Sequence, residues 1–399
     1  MTAGDSIWSR YSLALSGIQA VVIVALEAVI FRLHSIETSN IKRAFVPATV
    51  ALYQFPQHNV TGAKEAEILQ TTSVLSVYHV LFIVAQIFQL ILLCDAMFNK
   101  NTIQIMALVA FNAAMVAYAG VQVKQASDIL VWTEETNTLS NMILNIFARN
   151  PSATPYHASR PYEIAVVTLM VIFASGFAFI AYKLYKEFGW SIYKKIGADL
   201  AMRGKYRIPG YQFYGNSDMY KIYQIFIMIL KFDIFFQLGF SAQFLSVIVL
   251  TYNSLSDGSN SKGPVSPSEQ ANFRNVLIIH LVLSVGACIV LPVLAWRGLK
   301  RECKYSMAAF ISGGIGTLVY NIIKLNQVFE NPVRFAGANK FLTFFLILNL
   351  LLGVVTLYLA WQCMKNFNNG LNAHIGKVSG TNIYPMESVS GPNKRWSIE

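Results

Sequence analysis

Long stretches of almost uninterrupted apolar residues alternate along this chain with shorter polar, basic or glycine-rich segments. A helix needs roughly 18 or more apolar residues to cross a bilayer, and eight runs of about that length occur. They lie at about 12–31, 73–97, 103–122, 162–183, 223–251, 275–296, 305–323 and 341–363. The pattern predicts an all-α fold, a polytopic transmembrane helical bundle of about eight spans. Seven is the alternative if the first or seventh run does not cross. The first run has Arg10 before it and Glu27 within it, and no small-x-small cleavage site, so it reads as a retained span and not a signal peptide. The seventh is the weakest, because it carries Ser312-Gly313-Gly314-Ile315-Gly316, small residues that permit close helix approach.

The bundle is expected over residues 1–363. Lumenal loops are expected near 33–72 and 123–161. The second of these has apolar residues at helical spacing (Ile129, Trp132, Leu139, Met142, Ile146), which reads as an interfacial helix or an extension of the third span. A basic cytosolic loop is expected near 184–222. Residues 364–399, rich in Gly, Asn and Ser, read as a flexible cytosolic tail.

Composition changes the picture only by excluding alternatives. The chain is 55% hydrophobic and 13% charged, with a mean hydropathy of +0.47. Soluble domains carry about 25% charged residues, so lipid is the solvent this surface requires. The net charge of +11 does not point to nucleic acid, because the basic residues flank the apolar runs instead of forming a stripe on a soluble domain. Their excess is largest in the segments that an eight-span topology puts in the cytosol, which predicts cytosolic termini. The same topology places the sequon Asn59-Val60-Thr61 in the first lumenal loop, making Asn59 a candidate glycosylation site. The four cysteines have no metal-ligand spacing, and none falls in a predicted lumenal loop.

Ionisable and amide side chains inside spans are costly and mark candidate sites. Asp233 lies about ten residues into the fifth run, roughly 15 Å deep at the helical rise. It shares a face with Gln237, while Lys231, two residues away, points elsewhere. A carboxylate there needs a donor from another helix. Depth matching pairs Lys231 with Asp95, and places Glu27, His79 and His280 towards the lumenal side. Gln86, Gln89 and Asn112 fall near the middle, and Asn321 near the lumenal end of the seventh span. A proton- or ion-coupled path through Asp233 and Glu27 is one reading. Interhelical hydrogen bonding that fixes packing is the other, and it is favoured by the lack of a relay along any one helix. In the basic loop, Lys194, Lys195, Arg203, Lys205 and Arg207 are candidates for contact with anionic headgroups or a cytosolic partner. No HExxH, GxSxG or metal-spaced His/Cys cluster is present, and the six histidines are scattered. The sequence therefore predicts no enzymatic activity, cofactor or metal, and fixes no oligomeric state.

Four stretches carry a family resemblance: YHVLFIVAQIFQLILLCDA from Tyr78, NTIQIMALVAFNAAMVAYAGVQ from Asn101, GWSIYKKIGADL from Gly189 and KFDIFFQLGFSAQF from Lys231. Together they resemble an uncharacterised family of fungal Golgi apparatus membrane proteins. The resemblance implies a multi-pass Golgi protein and no particular activity. The leading functional expectation is a non-enzymatic Golgi protein supporting membrane trafficking or organisation. A proton- or ion-coupled small-solute transporter is the alternative, and a receptor-like bundle a third.

Overall fold

A computed structural model describes residues 6–52, 61–99, 101–144, 155–198, 214–256, 267–331, 335 and 337–367, with side chains described across the apolar segments. Its regular elements are α1 (Ile7–Leu52), α2 (Thr61–Phe98), α3 (Thr102–Leu144), α4 (Pro155–Ala198), α5 (Tyr214–Ser256), α6 (Pro267–Val285), a π turn (Gly286–Val290), α7 (Leu291–Arg301), α8 (Lys304–Glu330) and α9 (Asn339–Lys365). Eight segments are long and apolar enough to cross a membrane: Ile7–Ser39, Thr71–Phe98, Thr102–Ile129, His157–Glu187, Ile222–Leu250, Ala271–Arg301, Lys304–Glu330 and Asn339–Lys365. Each overlies one apolar run of the sequence, including the first and the seventh, so the fold is a polytopic bundle with eight such segments and not seven. The sixth span is composite, joining α6, the π turn and α7.

The helices outrun the apolar runs. The segment near 33–72 is largely helix, because α1 continues to Leu52 and α2 begins at Thr61. Near 123–161, the extension of the third span is what forms, with α3 running to Leu144. The basic segment is shorter than expected, since α4 continues to Ala198 and α5 starts at Tyr214. Apolar run length reports only the lipid-facing part of a helix. Polar residues with adequate helix propensity extend the same hydrogen-bonded rod beyond it.

Hydrophobicity is distributed as lipid exposure demands. Ile18, Val21, Val84, Ile87, Ile91, Ile279, Val282, Leu351 and Val354 are exposed on the outside of the bundle, while Gln19, Glu27, Gln86, Gln89 and Asn112 are buried within it. Helices α1–α4 form a closed ring in which α1 packs on α2 and α4, and α3 on both of the same neighbours. In the second half, α5 packs on α9, α9 on α8, and α8 on α7, with α6 against α5.

The halves meet where α2 and α3 lie against α5 and α9. Phe88 stacks on Phe235 with ring centroids 4.5 Å apart, Phe111 meets Phe232 at 5.7 Å, and Phe341 lies 4.0 Å from Tyr78 and 4.6 Å from Tyr118. Gly239 lets the Phe345 ring rest on the α5 backbone, where any Cβ would overlap the ring. Within the glycine run of α8, Cβ atoms at Gly313 and Gly314 would come within 2.5 Å of Leu291 and 2.6 Å of Leu357, so those glycines serve close packing on α7 and α9. The α7–α8 hairpin is closed by Glu302 in the left-handed conformation, with the Cys303 amide donating to Gly298 O at 3.0 Å.

Candidate functional site

Besides His280 and its partners, four groups of polar side chains stand inside the bundle, and the two halves of the molecule arrange them differently. Beside the turn between α2 and α3, Lys231 Nζ donates to Asp95 Oδ2 at 2.5 Å, and the Gln104 amide donates to the same oxygen at 2.8 Å. This is the pairing that depth matching predicts. Both ends remain about one-third exposed (32% and 36%).

Deeper in the α1–α4 ring, Gln19 acts as a hub. Its amide nitrogen lies 3.1 Å from Gln86 Oε1 and 2.9 Å from Asn112 Oδ1, and Gln89 donates to Gln19 Oε1 at 3.3 Å. Amides suit this place because each one donates and accepts, so helices without charge can satisfy one another in lipid. The sequence reading singled out Gln86, Gln89 and Asn112 but missed Gln19, which sits in an otherwise ordinary apolar run.

Some two turns further along α1 is a chain of four ionisable side chains, one from each of α1 and α4 at its outer end and one pair at its inner end. Glu27 Oε2 lies 2.7 Å from His79 Nδ1; His79 Nε2 lies 2.9 Å from His34 Nδ1; His34 Nε2 lies 2.9 Å from Glu163 Oε1. Ser159 donates to Glu163 Oε1 at 2.7 Å, and Gln122 Nε2 is 3.2 Å from His79 Nδ1. All four ionisable groups are buried. Glu27 and His79 are therefore partners of each other and not of Asp233; equal depth does not give equal azimuth. His34 and Glu163 went unmarked in the sequence reading because both lie at the polar margins of their apolar runs.

The fourth group surrounds a cavity of about 70 Å³ between α5, the π turn with α7, α8 and α9. Asp233, Gln237, Thr317, Asn321, Asn349 and Thr356 supply its polar lining. The donor that Asp233 requires is Thr356 of α9, whose hydroxyl donates to Asp233 Oδ2. Asn321 Nδ2 reaches Gln237 Oε1 at 3.4 Å, and Asn349 Nδ2 donates to Phe236 O at 3.1 Å. Asn321 is 1% exposed, yet its Oδ1 has no hydrogen-bond partner. The sixth span is irregular where it lines this cavity. Pro292 has no N–H, so one carbonyl of the preceding turn, which contains Ala287, lacks its helical donor. Set among mainly apolar side chains, one carboxylate and the spare Asn321 Oδ1 suit a hydrogen-bond donor or a cation. The volume is several times the ~10–15 Å³ that one water needs.

His280 does not join Asp233 either. It bonds to Tyr320 Oη at 2.5 Å and Ser241 Oγ at 3.2 Å, nearer the other end of α5. Among the described residues no three His, Cys, Asp or Glu side chains are arranged to hold a metal ion. Of the basic candidates, Lys194 and Lys195 fall on the last turns of α4, and Arg203, Lys205 and Arg207 lie outside the described residues, as do Asn59 and the tail beyond 367.

Comparison with known proteins bears on this arrangement as a whole. Over 306 residues the chain is 27% identical to a UPF0658 Golgi apparatus membrane protein of Schizosaccharomyces pombe, a match covering 74% of this chain and 76% of that protein. The chain resembles that uncharacterised Golgi family. The resemblance read from the four sequence stretches thus holds, and it spans too much of the chain to reflect shared hydrophobicity in one or two helices. No family model matches the chain, and no solved structure does.

Proposed function

We propose that this chain is a multi-pass membrane protein of the Golgi apparatus that carries a small cationic or hydrogen-bond-donating solute across the bilayer, binding it at the Asp233 cavity. The Golgi assignment rests on the relative's name. The transport reading rests chiefly on the buried, unpartnered Asn321 Oδ1 beside Asp233. A polar atom with no partner in a low-dielectric interior costs about 1–3 kcal/mol, a cost that a bound donor removes. The irregular sixth span supports the reading, since broken helices inside membranes are tolerated where they line a cavity. An even number of spans, with the basic excess on the side of the termini, supports the reading that both termini face the cytosol.

The test is binding to the purified full chain in lipid nanodiscs, using sodium, ammonium and small primary amines as probes. At least one probe is expected to raise the melting temperature of the wild type. Asn321→Leu is expected to abolish that shift while raising the melting temperature of the unliganded protein. No shift with any probe, or an unchanged shift in Asn321→Leu, contradicts the proposal.

A second reading, support of membrane trafficking or organisation, is favoured by one feature. Helix α4 continues to Ala198, beyond the end of its apolar segment at Glu187, and carries Lys194 and Lys195 out of the membrane. Neutralising Lys194, Lys195, Arg203, Lys205 and Arg207 is expected under this reading to weaken recruitment of anionic vesicles, and unchanged recruitment removes it.

A further inference from the structure

The Glu27–His79–His34–Glu163 chain has a property that packing alone does not require. Its three contacts, at 2.7, 2.9 and 2.9 Å, use all four imidazole nitrogens and one oxygen of each carboxyl group. Each contact needs one proton, because two facing lone pairs at these distances repel. Two carboxylates with two neutral imidazoles supply only two protons for three contacts, at a net charge of −2. A third proton completes the chain at net −1. We propose that these four side chains form a proton relay between Glu163, on the outer part of α4, and Glu27, deep in the α1–α4 ring, with Glu163 Oε2 as the place where a further proton is taken up.

In the relay step, the Glu27 Oε2–H bond breaks as His79 Nδ1–H forms. His79 Nε2–H breaks as His34 Nδ1–H forms, and His34 Nε2–H breaks as Glu163 Oε1–H forms. Every contact holds one proton before and after, and one unit of positive charge has moved from Glu27 to Glu163. The geometry also names the site of a fourth proton. Glu163 Oε2 is buried and without a hydrogen-bond partner, and a cavity of about 10 Å³, at the limit for one water, borders Glu27, His34, His79, Gln122 and Glu163. The fourth proton brings the chain to net zero, the favourable condition for a group of charges in hydrocarbon.

The relay ends at Glu27. Ile23, fully buried, lies one turn further along α1, and the next polar layer at Gln19 is eight residues, about 12 Å, away. The site is therefore a buried proton well that stops at Glu27 and not a channel through the ring. Of the other titratable or charged groups, Tyr118 of α3 lies close to Glu27 and Tyr78 of α2 to Tyr118, while Glu37 of α1 and Arg160 of α4 lie about one turn from His34 and Glu163. Arg160 is engaged by Ser127. The distances are too short for a metal bridging two nitrogens, which holds its ligands more than 3 Å apart. The claim does not depend on what the Asp233 cavity binds.

Its test uses the full chain in lipid nanodiscs with ¹⁵N-labelled histidine, titrated over roughly pH 5 to 8, where imidazoles ordinarily titrate. The wild type is expected to show one strongly deshielded proton shared by His34 and His79, with both rings responding together. Proton counting over the same range is expected to show one proton fewer taken up per chain in Glu163→Gln. Independent titration of the two rings overturns the proposal, and so does equal uptake by wild type and Glu163→Gln. If the variant does not fold, the wild-type histidine spectra decide alone.

Discussion

Among the described residues, α1–α4 bury more than twice as many polar side chains as α5–α9, and the two halves use them differently. In α1–α4 most polar groups face one another across a closed ring and satisfy each other's hydrogen bonds, as in the Gln19 hub and the carboxyl–imidazole chain, with Ser16 Oγ, Gln125 Oε1 and Glu163 Oε2 left over. In α5–α9 the polar groups stand around open space, with an acceptor on Asn321 left over and a helix interrupted at the π turn and Pro292. Polarity that satisfies itself fixes helix positions, whereas unsatisfied polarity around a void is disposed to take a ligand. The contrast separates a ring of mutually bonded polar groups from a half with a polar-lined cavity, and the aromatic seam of Phe88, Phe111, Phe232 and Phe235 joins them.

Substitutions in each half test that contrast. The largest effect on stability is expected at the seam. Gly239→Val forces the Phe345 ring off α5 and is expected to destabilise the protein by about 3 kcal/mol or more, the upper range for overpacking. Thermal unfolding in detergent measures it, and a loss under about 1 kcal/mol means that the seam is loosely packed. In the first half, Gln19→Leu leaves Gln86, Gln89 and Asn112 without their hub. The expected cost is about 1–2 kcal/mol, the range for interhelical hydrogen bonds in membranes. In the second half, Asn321→Leu is expected to be neutral or stabilising, because it removes an unpartnered acceptor. Equal costs for the Gln19 and Asn321 substitutions erase the distinction between the halves. The smallest effect is expected for Lys231→Met. Its pair with Asp95 is about one-third exposed, so the loss is under about 1 kcal/mol and shrinks further with salt.

The sequence carries the frame of this molecule because lipid imposes a long, local signal. Eight apolar runs become eight membrane-length helical segments, and even the weak seventh forms a continuous helix from Lys304 to Glu330. Pairings between helices are legible only where depth and charge both constrain them. Asp95 and Lys231 lie at the same level with opposite charges, and they meet. Asp233, Gln237 and Asn321 are each conspicuous as polar residues in apolar runs, and they line one cavity. Thr356 is not conspicuous, because a threonine within a helix commonly bonds its own backbone; its role at Asp233 depends on how α9 is rotated. The relay from Glu27 to Glu163 is invisible for the same reason. Its members are separated by up to 136 positions in sequence, come from three helices, and meet only when the ring closes.

Whether the Asp233 cavity carries a solute is decided by flux through reconstituted proteoliposomes, with wild type, Asp233→Asn and Gln19→Leu compared at matched amounts of folded protein and a panel of small cationic solutes driven by an imposed ion or pH gradient. The account predicts gradient-driven uptake by the wild type, a loss of at least about tenfold in Asp233→Asn, corresponding to roughly 1.4 kcal/mol of lost interaction, and uptake in Gln19→Leu within about twofold of wild type once the folded fraction is equal. Undiminished uptake in Asp233→Asn, or no uptake of any solute by folded wild type, contradicts it.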